Sequence, residues 1–192
     1  MNAKTDEQLL DRYANGDGAA LGELFRRYRW LAYRVAYRHL GQEADALDAV
    51  QEGFVKAIHH LDGLRRRDLF KPWLLRVVAN AAIDLRRKRG HLQTAGLDVD
   101  GLRDAGRDQP SASDEALRNL EGAELRRSLD EALAQLPEVH RQTFILHADA
   151  GLPYKEVAAV LGVPIGTVMS RLYYARRKLQ KYLFPEAEAV PA

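Results

Sequence analysis

The side chains best placed to do chemistry in this chain are cations, and the chemistry open to them is charge pairing with a polyanion. Between Leu64 and His91 stand Arg65, Arg66, Arg67, Lys71, Arg76, Arg86, Arg87, Lys88 and Arg89 against Asp68 and Asp84 alone, a local charge of +7. Between Ile165 and Leu183 stand Arg171, Arg176, Arg177, Lys178 and Lys181 with no acid, a charge of +5. The stretch from Gly90 to Glu124 carries eight acids and three arginines, −5. The net charge of +2 over 192 residues therefore hides two basic patches separated by an acidic tract, a pattern suited to two contacts with a nucleic acid. A basic run is often no more than a solvated helix face. Here both runs coincide with motifs that give them a use.

Catalytic chemistry finds no such support. The histidines are His39, His59, His60, His91, His140 and His147, and no HExxH, Walker A or Gly-rich phosphate loop surrounds them. His59 and His60 are adjacent, so a helix turns them to different faces and they make a poor metal pair. With no cysteine there is no disulfide framework, thiolate metal site or thiol nucleophile. No catalytic residue, metal or cofactor is expected. The longest apolar runs fall short of a membrane span and the amino end is polar, which points to a cytosolic chain without membrane insertion.

The elements that must carry these charges are helical. Thr5 and Gln8 form a possible capping box for a short first helix. Asp17 can cap a long second helix with Leu21, Leu24, Phe25, Tyr28, Leu31, Ala32, Val35 and Ala36 at helical spacing, ended by Gly41. A third helix, Glu43 to Leu61, places Leu47, Val50, Phe54, Ile58 and Leu61 on one stripe and Asp45, Asp48, Gln51 and Glu52 on an acidic, amide-bearing face. That face repels DNA and suits a basic protein partner, or is simply solvated. Pro72 suits the first turn of a fourth helix that runs into the Arg86–Arg89 cluster. Phe70 and Trp73 among its cations fit stacking of single-stranded bases, although a core role for Trp73 is the better reading.

From Gly90 the composition turns to Gly, Asp and Ser, the pattern of a flexible linker. Order returns near Ala116. The stretch Tyr154 to Val168 has helix-turn-helix grammar: a short amphipathic helix, Ala158 where helices approach closely, Gly162 at the turn, and Val163 and Val168 plugging the angle. Thr167 opens a second helix that presents Ser170, Arg171, Tyr174, Arg176, Arg177 and Lys178, which suits a major groove. The expected architecture is all-α: a helical module at 1–90, a flexible acidic linker at 91–119, a helix-turn-helix module at 120–184 and a frayed tail at 185–192.

With these pieces in order, the chain resembles bacterial sigma factors of the extracytoplasmic-function (ECF) group of the sigma-70 family. The resemblance rests on Leu24–Tyr28, Asp45–Phe54 and Phe70–Asn80 with Asp84 and Arg86. In the second module it rests on Leu136-Pro137, Arg141, Glu156–Ala158, Leu161-Gly162 and Gly166–Val168 with Ser170–Leu172. It implies a transcription initiation factor whose partners are core RNA polymerase, through its β′ clamp and β subunits, promoter DNA and an anti-sigma protein, with no small-molecule substrate. Asp45, Asp48, Gln51, Glu52 and Phe54 match the region that docks on the β′ clamp. Arg65, Arg66, Lys71, Trp73, Arg76, Asn80, Asp84, Arg86, Arg87 and Lys88 match the region that opens and reads the −10 element, the loop Gly63–Leu69 being where a flipped base is held. Arg141, Thr167, Met169, Ser170, Arg171, Tyr173, Tyr174, Arg176, Arg177 and Lys178 match the −35 reader. The linker would thread toward the RNA exit path. Met169 and Tyr174 depart from positions often basic in relatives, and Pro153 replaces a small hydroxyl residue, so the −35 preference should differ. Two other readings remain: a stand-alone helix-turn-helix regulator, which leaves the first module without a use, and a sigma-like adaptor, against which the basic fourth helix argues.

Overall fold

A computed structural model of the chain describes residues 4–94, 124–125 and 127–185, with side chains at 91–94 excepted. The described residues are helical and contain no strand. Helix α1 (Asp6–Ala14) starts at a true capping box, in which Gln8 N–H donates to Thr5 Oγ1 at 3.3 Å and Thr5 N–H to Gln8 Oε1 at 3.0 Å. Helix α2 (Gly18–Leu40) is capped by Asp17, whose carboxylate accepts from Ala19 N–H at 3.1 Å, and ends at Gly41 in the left-handed region, φ 72°.

Helix α3 (Glu43–His60) buries only part of the stripe its large apolar residues suggest. Ala46, Ala49, Val50, Gly53 and Ala57 face inward, while Leu47 and Ile58 are exposed. The reason is a close helix crossing. A Cβ on Gly53 would lie 2.8 Å from Val78 Cγ2 and 2.9 Å from Val78 Cα, so only small residues fit between α3 and helix α4 (Phe70–Thr94). Two 3₁₀ turns, Leu61–Gly63 and Arg67–Leu69, bridge α3 to α4. Leu9, Leu24, Leu61, Phe70 and Leu74 close the core beneath them. Helix α4 runs to Thr94, beyond the boundary expected at 90. The remainder of the expected linker to residue 119 and the tail from 186 lie outside the described residues, as does the stretch before residue 124.

The C-terminal part contains α5 (residues 127–134), α6 (Glu138–Phe144), which widens into a π turn at Ile145–Asp149, α7 (Tyr154–Leu161) and α8 (Ile165–Leu183). Helices α7 and α8 meet through a bend of 107°, within the usual range for a helix-turn-helix. Gly162 makes the turn at φ 66°, and Val163 N–H donates to Ala158 O at 3.1 Å. Val168 is fully buried in the angle, with Val163 packed beside it.

The two modules are not merely tethered. One apolar cluster crosses from Ala32, Val35, Val78 and Ala82 to Ile145, Leu146, Leu152, Val157, Val160 and Leu172. Around it, Arg38 pairs with Asp130 at 2.6 Å and with Asp149 at 3.1 Å. Glu138 accepts from Arg86 at 3.2 Å and from Arg87 at 2.5 Å. The two modules expected on either side of a linker therefore also pack against each other along this cluster. Among the described residues no single helix is long and apolar enough to cross a membrane.

Candidate nucleic-acid interface

Three surfaces gather the residues singled out by the sequence. The first is the outer face of α3. Asp48, Gln51, Glu52 and Val55 line one shallow depression there. Leu47 and Ile58 flank it with more than two-fifths of their surface exposed, so the face is mixed acidic and apolar. The sequence reading missed Leu47, Val55 and Ile58, having placed Leu47 and Ile58 inside. The Ala46, Ala49, Gly53, Ala57 spacing is the signal that would have turned the helix correctly. Two expected members make contacts within the module. Asp45 is 3 % exposed and accepts a hydrogen bond from the Arg89 guanidinium, because its position coincides with the small-residue face that meets α4. Phe54 is half-buried and stacks on Phe25, ring centroids 4.3 Å apart. Lys56 bonds Glu52 at 2.8 Å and lies 3.5 Å from Asp84, tying the α3 face to α4; its ammonium is held above its usual pKa, chiefly by the Glu52 hydrogen bond.

The second surface is the 61–69 connection with α4. Arg65, Arg66, Arg87 and Lys88 are exposed and Lys71 is half-exposed. Arg66 chelates Asp68, which holds that carboxyl below its ordinary pKa. Trp73 is half-buried and packs beside Phe70, ring centroids 6.0 Å apart, against the N-terminal core. Asn80 is exposed, one turn C-terminal to Arg76 and one turn before Asp84. Beneath the connection lies a cavity of about 160 Å³ lined by Leu10, Tyr13, Ala14, Leu61, Asp62, Leu64 and Arg67. The middle of α4 is engaged by the C-terminal module. Gln142 Nε2 donates to Asn80 Oδ1 at 2.9 Å, and the Arg76 guanidinium donates to the Val160 carbonyl.

The third surface is α8. Met169, Ser170, Tyr173, Tyr174, Arg176, Arg177 and Lys178 are exposed, with Thr167 and Arg171 half-buried at the helix start. Arg177 Cζ lies 5.9 Å from the Tyr173 ring centroid, so stacking preorients the guanidinium. His140 of α6, missed from the sequence, faces Tyr174 at 6.2 Å between ring centroids. Burial and the cations Arg171 and Lys178 hold its pKa below the ordinary value. Arg141 does not belong to this surface. It is buried, and its guanidinium donates to Ala134 O at 2.5 Å and Leu136 O at 3.0 Å, where it satisfies the carbonyls that α5 leaves open at its end. Among the described residues no group of three or more His, Asp or Glu is arranged to hold a metal ion.

Comparison with known proteins adds a direct line. The Sigma-70 region 2 family profile matches residues 24–91, and the Sigma-70, region 4 profile matches residues 126–179. The ECF RNA polymerase sigma factor SigE of Mycolicibacterium smegmatis is 35 % identical over 173 residues, 88 % of this chain and 65 % of that protein. The chain thus spans just under two-thirds of the mycobacterial relative. The ECF RNA polymerase sigma-E factor of Escherichia coli (strain K12) is 32 % identical over 185 residues, 94 % of this chain and 95 % of the relative. Among solved structures, CnrH in complex with the cytosolic domain of CnrY superimposes with a TM-score of 0.67 at 29 % identity, covering 93 % of this chain and 96 % of that one. RpoE in complex with the anti-sigma factor NepR, from Bartonella quintana, shares the fold with a TM-score of 0.59 at 23 % identity, over 84 % and 96 % of the two chains.

Proposed function

From the premise that the chain belongs to the sigma-70 family, as an ECF RNA polymerase sigma factor, we propose that it docks on bacterial core polymerase through α3 and reads a promoter at two places. The observation that carries this reading is the separation of one mixed acidic and apolar face from two basic ones on a single chain. The α3 face around Asp48, Gln51, Glu52 and Val55 suits the clamp of the polymerase and is unsuited to DNA. The α8 face suits the major groove of the −35 element as duplex. The 61–69 connection and α4 suit the −10 element as melted strand, phosphates meeting Arg65, Arg66 and Lys71 and bases meeting Asn80. Arg141 acts by positioning the α5–α6 corner.

Strand opening is a question of magnitudes. Breaking DNA stacking costs about 1.4 kcal/mol per step. Capturing one extruded base returns about 1–3 kcal/mol. One captured base therefore offsets one or two lost steps, and the cavity under Leu64 and Arg67 is the candidate receptacle. The chain itself carries no chemistry in this scheme; it supplies address and opening to the enzyme that does. By analogy with CnrH and RpoE, each solved with a partner protein, an anti-sigma protein is the expected regulator.

The division of labour is tested on promoters directed by the reconstituted holoenzyme. Asn80→Ala is expected to slow strand opening, read by permanganate reactivity of unpaired thymines, and to leave duplex −35 binding intact. Arg176→Ala with Arg177→Ala is expected to weaken −35 binding instead. Equal loss at both elements from either change would overturn the assignment of α4 and α8 to separate elements.

A further inference from the structure

The outer face of α2 takes no part in the three surfaces described above. Arg26, Trp30, Tyr33 and Tyr37 follow one another at intervals of four, three and four residues, so they share one stripe about 16 Å long. The stripe lies opposite Leu24, Ala32, Val35 and Ala36, which α2 buries. Arg29 stands along one edge of it and Arg34 along the other. Trp30 is 69 % exposed, more than any other exposed large apolar side chain among the described residues. The rings form a column. Trp30 stacks on Tyr33 with centroids 5.4 Å and planes 20° apart, and Tyr33 meets Tyr37 at 5.9 Å. Tyr33 covers one face of the indole, and the other face is open to solvent at the end of the column.

The charges along the stripe are unevenly used. Arg34 lies 3.7 Å from Asp149, and Arg38 holds Asp130 at 2.6 Å. Glu23 lies 3.7 Å from Arg27. Burial, then the Glu43 charge, raises the Tyr33 hydroxyl above its ordinary pKa, so that ring stays neutral and Glu43 acts on the middle of the column. The side chains of Arg26 and Arg29, one turn before Trp30, have no partner among the described residues. Free positive charge therefore gathers at the amino-terminal end of the stripe, beside the open indole.

We propose that the outer face of α2 is a second single-stranded DNA surface, separate from α4, on which one base stacks on the open face of Trp30 and its flanking phosphates meet Arg26 and Arg29. An unpaired nucleotide offers a flat π face and a charge side by side, and this end of α2 offers the complement of each. A duplex keeps its base faces stacked inside, so the fitting partner is a strand freed by melting. Trp30, Tyr33, Arg34, Tyr37, Arg38 and Asp130 line a groove of about 450 Å³ along the stripe, which leaves room for neighbouring nucleotides. The acid in that groove is already neutralised by Arg38. The proposed function supplies such a strand, yet the site stands without it, because the α2 stripe shares no residue with the 61–69 connection or α4.

The test uses the full chain at low salt with oligothymidylate of about 15 nucleotides, a length within the range of one single-strand site. Trp30 and Trp73 are the only tryptophans, so Trp73→Phe leaves the Trp30 indole as the sole reporter. The oligonucleotide is expected to quench it, and to go on doing so when Arg65→Gln, Arg66→Gln and Lys71→Gln are added. Affinity is read separately from the anisotropy of a labelled oligonucleotide. Trp30→Ala is expected to weaken binding about tenfold without changing its salt dependence, and Trp30→Phe to recover most of the loss. Arg26→Gln with Arg29→Gln is expected instead to flatten the slope of log affinity against log salt by about 1.4, or 0.7 per lost phosphate contact. All these positions lie away from the core of α2, so an unchanged helical circular dichroism spectrum accompanies each result. Absence of quenching in every form, or quenching that vanishes with the three changes at Arg65, Arg66 and Lys71, would overturn the α2 site and leave the α4 assignment in place. Equal quenching by polyglutamate would overturn it too, since that surface would then suit an acidic protein by charge alone. Quenching retained in full, with total affinity unmoved by the three changes, would uphold the α2 site and remove the α4 assignment.

Discussion

His39 is the clearest case of a residue whose chemistry is set by its surroundings. It is 4 % exposed near the end of α2, and burial, with the Arg86 charge beside it, lowers its pKa to about 3 from the ordinary 6.5. The unfolded chain therefore binds a proton that the folded chain refuses. Stability from this residue is complete above pH 6.5 and declines by about 1.4 kcal/mol per pH unit as pH falls from there toward 3. His140 adds in the same direction, whereas Asp17 and Asp68, lowered from 3.8, lose their contribution only at more acid pH. Urea midpoints at pH 7.5, 6 and 5 should fall steeply for the native chain and less for His39→Leu; parallel curves would contradict the burial of a neutral imidazole. Met169, 54 % exposed on α8, makes a second residue-scale prediction. A thioether meets a thymine methyl but offers no bidentate donor to guanine. Met169→Arg should gain a guanine preference at one −35 position in a selection with holoenzyme, and an unchanged base preference would remove Met169 from the reading surface.

At the scale of elements, the α3–α4 crossing is the feature with the narrowest tolerance. Gly53→Ala drives a methyl to within 3 Å of the Val78 backbone, so it should cost about 1–3 kcal/mol by chemical denaturation despite its better helix propensity. A neutral or stabilising effect would mean that the crossing is looser than described. The outer face of the same helix predicts the opposite phenotype: Val55→Arg should leave the denaturation midpoint within about 0.5 kcal/mol and sharply weaken co-elution with core polymerase. These helices also mark how far the sequence could be read. Caps at Thr5 and Asp17, and the glycines at 41 and 162, are local signals, and the structure forms each of them. In α3 the apolar stripe holds at Val50 and Leu61 and fails at Leu47 and Ile58, because a close crossing selects Ala and Gly over large side chains. Asp45 and Arg141 were misplaced for a related reason. A charge counted along a sequence looks exposed, but Asp45 meets Arg89 and Arg141 meets backbone carbonyls, partners that only the packing of α3 on α4 and of α5 on α6 supplies.

At the scale of the molecule, the two modules and their division were legible from the charge segregation and the motif order, and their mutual contact was not. Ile145, Leu146 and Val157 have the pattern of core residues whichever module they face, and Asp130, Glu138 and Asp149 are single acids without a motif. Their partners lie from 51 to 115 residues away, a separation that periodicity cannot bridge. The central claim is that this chain gives a polymerase its promoter address. The measurement that tests it most directly is reconstitution of the purified chain with sigma-free bacterial core polymerase, followed by transcription from a library of candidate promoters. The predicted result is co-elution together with discrete start sites that share −35 and −10 sequences. Failure to co-elute, with tight and specific duplex binding by the free chain, would contradict the account and leave a helix-turn-helix regulator that works without polymerase.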